Sequence, residues 1–263
     1  MKRKLFTGGI AVMLCLAMSG NAQQKATSYT EKENMAVKTR LNFNNRADFE
    51  DAHRGFIATL EDEAIKNENG SVSYPLNAWK FLEGEAPATA NPSLWRQSQL
   101  NAIHGLFEVV PGAIYQVRGF DLANMTFVRT DHGWIIIDAT TSEASALAGY
   151  RLVKQHLGDL PVRALIITHP HIDHYGGMEA ICREVSNKDM KIIVPKGFYE
   201  EALSENVMAG TAMGRRASYM YGLLLPRHAG GNIGTGLGTT NSRGKSMLMR
   251  PTDEIGTTGE RRE

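Results

Sequence analysis

Thr168-His169-Pro170-His171-Ile172-Asp173-His174-Tyr175-Gly176-Gly177 carries three histidines and an aspartate within six residues. Imidazole nitrogen and carboxylate oxygen are the ligand set of a hydrolytic zinc ion that keeps a coordination position for water. Read as an extended segment, alternate residues point the same way and put His169, His171 and Asp173 on one face. His174 joins them where the chain bends, and Gly176 and Gly177 are expected to supply the backbone freedom for that bend into a helix. Histidines scattered on a surface loop do not usually fall into alternate register behind a buried strand, so the run reads as half of a two-metal site.

Upstream, Val162-Arg-Ala-Leu-Ile-Ile-Thr168 is apolar and β-branched, which predicts a buried strand ending where the ligands begin. That is where layered α/β proteins place their sites. Gly112 to Arg118 alternates as a strand, and Met125 to Arg129 and Trp134 to Asp138 follow as two more. Asp131-His132-Gly133 reads as the turn between the last two. A helix is expected over Ser142 to His156. Asp138, at the end of a buried strand, has two readings: it holds a ligating imidazole, or it caps the helix near Ser142. His104 and His132 fall in turn or loop settings, and His156 lies near a helix carboxyl end, where a cation is favourable for other reasons.

The resemblance is to the metallo-β-lactamase superfamily, whose metal-binding signature His-x-His-x-Asp-His stands here as His169 to His174. Leu94 to Ala102, Gly112 to Gly119, Ala212 to Ala217 and Gly236 to Thr240 are similar to the amino-terminal part of its alkyl sulfatases, and the likeness covers most of the chain from about Asn42. It implies an α/β fold, part of an αββα sandwich. It implies two zinc ions (Zn2+), with His169 and His171 on the first, Asp173 and His174 on the second, and a bridging hydroxide that Asp173 orients. The implied activity is hydrolysis of linear alkyl sulfate esters to alcohol and sulfate. A substrate such as a lactone, thioester or β-lactam would fit the same superfamily. Arg215 and Arg216 are the candidate contacts to a sulfate ester, because guanidinium grips such oxygens bidentately.

Members of that family complete their zinc shells with further acidic residues and another histidine, and run several hundred residues longer. After His174 the chain offers Glu179, Glu184, Asp189, Glu200, Glu201, Glu205, His228, Asp253, Glu254, Glu260 and Glu263, none in a segment that matches the missing ligands. Since each zinc usually takes three protein ligands, the chain is expected to be an incomplete enzyme or a silent remnant. Glu179 and Glu184 are expected on the solvated face of a helix, and His228 in a loop. Ala229 to Glu263 is rich in Gly, Thr, Ser and Arg, and its one apolar run, Ser246 to Met249, is the candidate strand. Gly230 to Gly238 lacks the strand and helix that a phosphate cradle needs. Family members form homodimers through segments largely outside this chain, so dimerisation does not carry over.

Met1 to Ala22 has the three parts of a secretory leader: Lys2, Arg3 and Lys4, an apolar stretch from Leu5 to Met18, and small residues before Gln23. The leader, cleaved after Ala22, makes the expected address periplasmic or secreted, and the apolar stretch is too short for a membrane span, so no stable membrane insertion is expected. Removal of the leader leaves 26 Lys+Arg against 28 Asp+Glu, a near-neutral chain that gives no reason to expect nucleic acid as a partner. Cys182 is then the only cysteine, read as a thiol packed on a helix. Gln23 to Asn91 reads as a helical and irregular arm, with Arg46 to Phe56 a helix and Asn67 to Gly70 a turn, before a denser domain from Pro92 to Glu263.

Overall fold

A computed structural model describes residues 25–187 and 189–259; the leader expected over residues 1–22 lies outside them. The arm contributes helices α1 (Ser28–Arg40) and α2 (Ala47–His53), strand β1 (Phe56–Ala58) and a two-stranded ribbon of β2 (Ile65–Lys66) and β3 (Val72–Tyr74). Helix α3 (Pro92–Asn101) begins where Asn91 accepts from the amides of Ser93 and Leu94 and Pro92 takes the first helical position, which has no amide to satisfy. Strands β4 (Gly105–Val110), β5 (Ile114–Arg118), β6 (Met125–Thr130) and β7 (Gly133–Ile137) form an antiparallel run. Helix α4 (Glu143–Leu157) crosses over to β8 (Val162–Ile166), which lies parallel to β7. The one-turn helix α5 (Ile172–Tyr175) and α6 (Met178–Glu184) lead to β9 (Lys191–Pro195) and α7 (Phe198–Leu203). A π-helical turn, Ser204–Met208, α8 (Gly210–Met220) and β10 (Asp253–Ile255) complete the order.

The main sheet has eight strands in the order β1-β4-β5-β6-β7-β8-β9-β10, antiparallel up to β7 and parallel from there. Its core follows the alternation of apolar residues: Phe127, Trp134, Ile136 and Leu165 are fully buried. Trp134 stands edge-on to Tyr115 at 5.8 Å and to Phe127 at 6.2 Å, the geometry that aromatic quadrupoles favour. Cys182 packs against this core as expected. A second cluster of Trp79, Leu82, Ala90, Trp95 and Ile233 joins the arm to α3. No helix among the described residues is long and apolar enough to cross a membrane.

The three strands expected between Gly112 and Asp138, the helix after Ser142 and the strand before the histidines all form, with ends shifted by a residue or two. The segment after Ala229 differs. Ser246 to Met249 is not a strand; the strand is Asp253–Ile255, parallel to β9. Apolar content misleads here because the segment is fastened by polar groups. Thr239, Thr240 and Ser242 are buried, Met247 donates its amide to Gly176 O at 2.9 Å, and the Ser246 hydroxyl donates to Thr141 O at 2.5 Å.

The role of Gly176 and Gly177 also differs from the expectation. Their φ values, −56° and −90°, are open to any residue, so the bend does not require glycine. Close approach does. A Cβ on Gly176 would lie 1.9 Å from Thr141 O, and one on Gly177 would lie 2.3 Å from the Ala146 methyl and 2.4 Å from Ala139 O. The pair lets the chain after the histidines press against the loop after β7. Gly177→Ala is therefore expected to lose about 3 kcal/mol of stability by forcing rigid backbone apart, measured as the shift in a urea unfolding midpoint; an unchanged midpoint would refute the close-packing role.

Candidate metal centre

Two loops at the carboxyl ends of neighbouring parallel strands build the site. The loop after β7 runs through Asp138 (φ 64°) and Thr140 (φ 54°), both in the left-handed region that costs a non-glycine residue energy. The loop after β8 carries the histidines. Asp138 donates its amide to Ile166 O and Ala139 to His174 O, at 2.9 and 2.7 Å, so the two loops share backbone hydrogen bonds. The Asp138 carboxylate, buried at 7 % exposure, accepts from the Thr168 amide at 2.9 Å and from its hydroxyl at 2.9 and 3.0 Å, and lies 2.8 Å from His174 Nδ1. Of the two readings of Asp138, the structure selects the imidazole holder; Ser142 is the cap of α4, accepting from the Ser145 amide.

The histidine run is not one extended face. β8 ends at Ile166, and His171 is the extended residue before the helical turn Ile172–Tyr175, so Asp173 and His174 stand on helix. The helical turn nonetheless brings all four side chains together. The His169 ring lies 4.0 Å from that of His174 and 4.7 Å from that of His171. His169 Nε2 is 3.1 Å from His171 Nδ1, and His174 Nε2 is 3.4 Å from Asp173 Oδ2. Two ligands on one tetrahedral zinc stand about 3.3 Å apart, given bonds of about 2.0–2.1 Å. The chemistry of each pair thus fits one zinc ion, while the far nitrogens of His169 and His174 are held by Thr168 Oγ1 and Asp138. The fit stops at pairs: among the described residues no three His, Cys, Asp or Glu side chains form a group able to hold a metal ion.

Burial works against the His174 imidazolium, but hydrogen bonds and charge from Asp138 and Asp173 outweigh it and push its pKa up to about 9. Burial lowers that of His169, with the neighbouring His174 and His171 adding to the effect. Asp173 is held below the ordinary carboxylate value: burial opposes ionisation, but His174 more than offsets it. A metal ion entering at His174 has to displace a proton.

Residues 118–232 match the family model described as the metallo-β-lactamase superfamily. The chain is 51 % identical over 239 residues to a linear primary-alkylsulfatase of Pseudomonas sp., covering 89 % of this chain and 35 % of that protein. It is 41 % identical over 257 residues to an (R)-specific secondary-alkylsulfatase of Pseudomonas sp., covering 95 % and 38 %. The solved structure of the stereoselective inverting sec-alkylsulfatase Pisa1 from Pseudomonas sp. superposes with a TM-score of 0.84 at 41 % identity over 92 % of this chain and 38 % of that one. The chain is an alkylsulfatase homologue of the metallo-β-lactamase superfamily. It spans between a third and two fifths of the length of these relatives.

In this homologue Glu179 and Glu184 are taken up by arginines. Glu179 pairs with Arg183 at 2.6 Å and Glu184 with Arg151 at 3.0 Å, both on the helical surface as expected. Arg215 and Arg216 are exposed on α8. Glu205 Oε2 lies 3.5 Å from His171 Nε2. Asparagine tolerates the left-handed conformation of Asp138 and keeps its shape, but loses the charge. Asp138→Asn is expected to bring the His174 titration of the metal-free protein down from about 9 toward the ordinary 6.5, followed by NMR. A folded state with the raised value gains stability below the ordinary value and loses it as pH rises through about 9, so the variant should flatten that part of the stability curve. A His174 midpoint that stays near 9 would remove Asp138 as its cause.

Proposed function

We propose that this chain supplies the histidine-aspartate half of a two-zinc centre that hydrolyses linear alkyl sulfate esters to alcohol and sulfate. The observation that carries the reading is the pairing of donors at 3.1 and 3.4 Å, beyond the carboxyl end of β8, where a chain 51 % identical to a linear primary-alkylsulfatase turns from strand to helix. His169 and His171 would hold one ion through Nε2 and Nδ1, and Asp173 and His174 the other through Oδ2 and Nε2. Zinc, when bound, activates a water and offsets negative charge developing on the substrate. Asp138 keeps the His174 proton on Nδ1 and so leaves Nε2 free to bind, while Thr168 ties Asp138 and His169 together. Arg215 and Arg216 are proposed as contacts to the sulfate oxygens.

A second reading, that the chain binds metal weakly and turns nothing over, is favoured by the lack of any convergent group of three ligands among the described residues. Elemental analysis for zinc after exhaustive dialysis, with sulfate release from dodecyl sulfate on the same sample, separates the two. About two tightly held ions with turnover is the expected result for a complete centre, its remaining ligands coming from elsewhere. Substoichiometric zinc with no sulfate release would sink the hydrolase reading for this chain and sustain the second.

A further inference from the structure

We propose that Asp121 is a positioning residue for the histidine-aspartate centre, anchoring Thr141 so that the strained loop after β7 keeps Asp138 aimed at His174. The inference deepens the two-zinc reading, on which its metal arm rests. Asp138 and Thr140 hold φ values of 64° and 54°, conformations that relax unless both ends of the segment are tied. One end is tied where the Asp138 amide donates to Ile166 O at 2.9 Å. The other end is Thr141, and Asp121 holds it twice: Oδ2 accepts from its amide at 2.8 Å and Oδ1 from its hydroxyl at 2.9 Å. The segment so tied carries the contacts with the histidine loop. The Ala139 amide donates to His174 O at 2.7 Å, Thr140 O accepts from the Gly177 amide at 3.2 Å, and the Asp138 carboxylate lies 2.8 Å from His174 Nδ1.

Position 121 needs two acceptor oxygens, so an amide cannot stand in for the acid. Oδ1 takes the Leu122 and Ser242 amides besides the Thr141 hydroxyl, and Oδ2 takes the Thr141 amide and the Ser242 hydroxyl. Asparagine offers one acceptor oxygen and turns an NH2 group toward the remaining donors. With its oxygen in the Oδ1 place the Thr141 amide is orphaned; with its oxygen in the Oδ2 place the Leu122 and Ser242 amides are. The Ser242 hydroxyl can turn to Ser142 Oγ at 2.7 Å, but a backbone N–H has no such freedom. Asp121 and Thr141 are both buried, so the unmade bond is costly and the loop shifts to relieve it. Thr141 O is fixed separately by the Ser246 hydroxyl at 2.5 Å. The substitution therefore frees the amide side of Thr141, which leads back to Asp138, and leaves its carbonyl side in place.

The His174 Nδ1 proton of the metal-free, 15N-labelled protein tests this by NMR without any turnover, alongside zinc affinity measured by competition with a chromophoric chelator. In wild type and in Thr141→Ser, which keeps both donors to Asp121, the proton is expected as a sharp downfield signal protected by Asp138. In Asp121→Asn the signal should broaden into exchange with water, and zinc binding should weaken about tenfold, as loss of a ligand's outer partner typically costs. Thr141→Val removes the hydroxyl tie alone, is expected to show the same changes in smaller degree, and carries the test if Asp121→Asn does not fold. Val153→Ala opens a cavity at a fully buried position on α4, which lowers stability without touching the loop, and should leave both readouts as in wild type. Either readout left unchanged in Asp121→Asn, or in Thr141→Val where that variant carries the test, overturns the proposal, and so does equal loss in Val153→Ala. If wild type binds no zinc while the His174 signal still follows residue 121, the metal reading fails and the positioning role stands.

Discussion

Asp121 is the constraint on which the rest of the molecule hangs. Its carboxylate, 2 % exposed, accepts from the Leu122 amide, from the Thr141 amide and hydroxyl, and from the Ser242 amide and hydroxyl. Burial pushes its pKa up, and these donors, which favour the ionised form, offset only part of that rise. Three segments distant in the chain converge on one carboxyl group: the loop between β5 and β6, the loop that precedes α4, and the polar stretch before β10. The network then runs outward through hydroxyls, from Ser242 to Ser142 and from Ser142 to Ser73 on the ribbon of the arm. A buried carboxylate with fewer donors would be untenable; with five it becomes a fixed point.

The metal loop inherits its order from that point. Thr141, held by Asp121, belongs to the same short loop as Asp138 and Thr140, which adopt left-handed conformations that only surrounding structure can enforce. Gly176 and Gly177 lie against that loop too closely for any side chain. The histidines are therefore not displayed on a flexible linker. They lie between a loop fixed by the buried Asp121 carboxyl on one side and, on the other, the π-helical turn whose Asn206 donates to Pro170 O.

Much of this was legible in the chain. β5, β6, β7 and β8 announce themselves by alternation or by β-branched runs, and the spacing of His169, His171, Asp173 and His174 names the chemistry. What was not legible depended on contacts between distant segments. Asp121 is an ordinary aspartate until Thr141 and Ser242 arrive beside it. The backbone freedom assigned to Gly176 and Gly177 was a fair reading of local propensity, but the partner that demands glycine lies more than thirty residues upstream. The polar stretch before β10 hides its attachment because hydrogen bonds to serine and threonine leave no apolar period to read. Lys191 to Pro195 does contain the run Ile192 to Val194, a strand signal present in the sequence but too short to stand out.

The two halves of the main sheet differ in how far apart their partners lie along the chain. β4 to β7 are joined by connections of a few residues, whereas β9 and β10 meet across the whole stretch from Lys196 to Thr252. Closing a loop costs entropy that grows with the logarithm of its length, and non-local pairings form more slowly than hairpins. Pairing β10 with β9 therefore costs more loop-closure entropy than pairing the antiparallel strands. Since that segment supplies both the Ser242 donors to Asp121 and the Met247 clamp on Gly176, the histidine loop owes its rigidity to a pairing that closes one of the longest loops in the sheet.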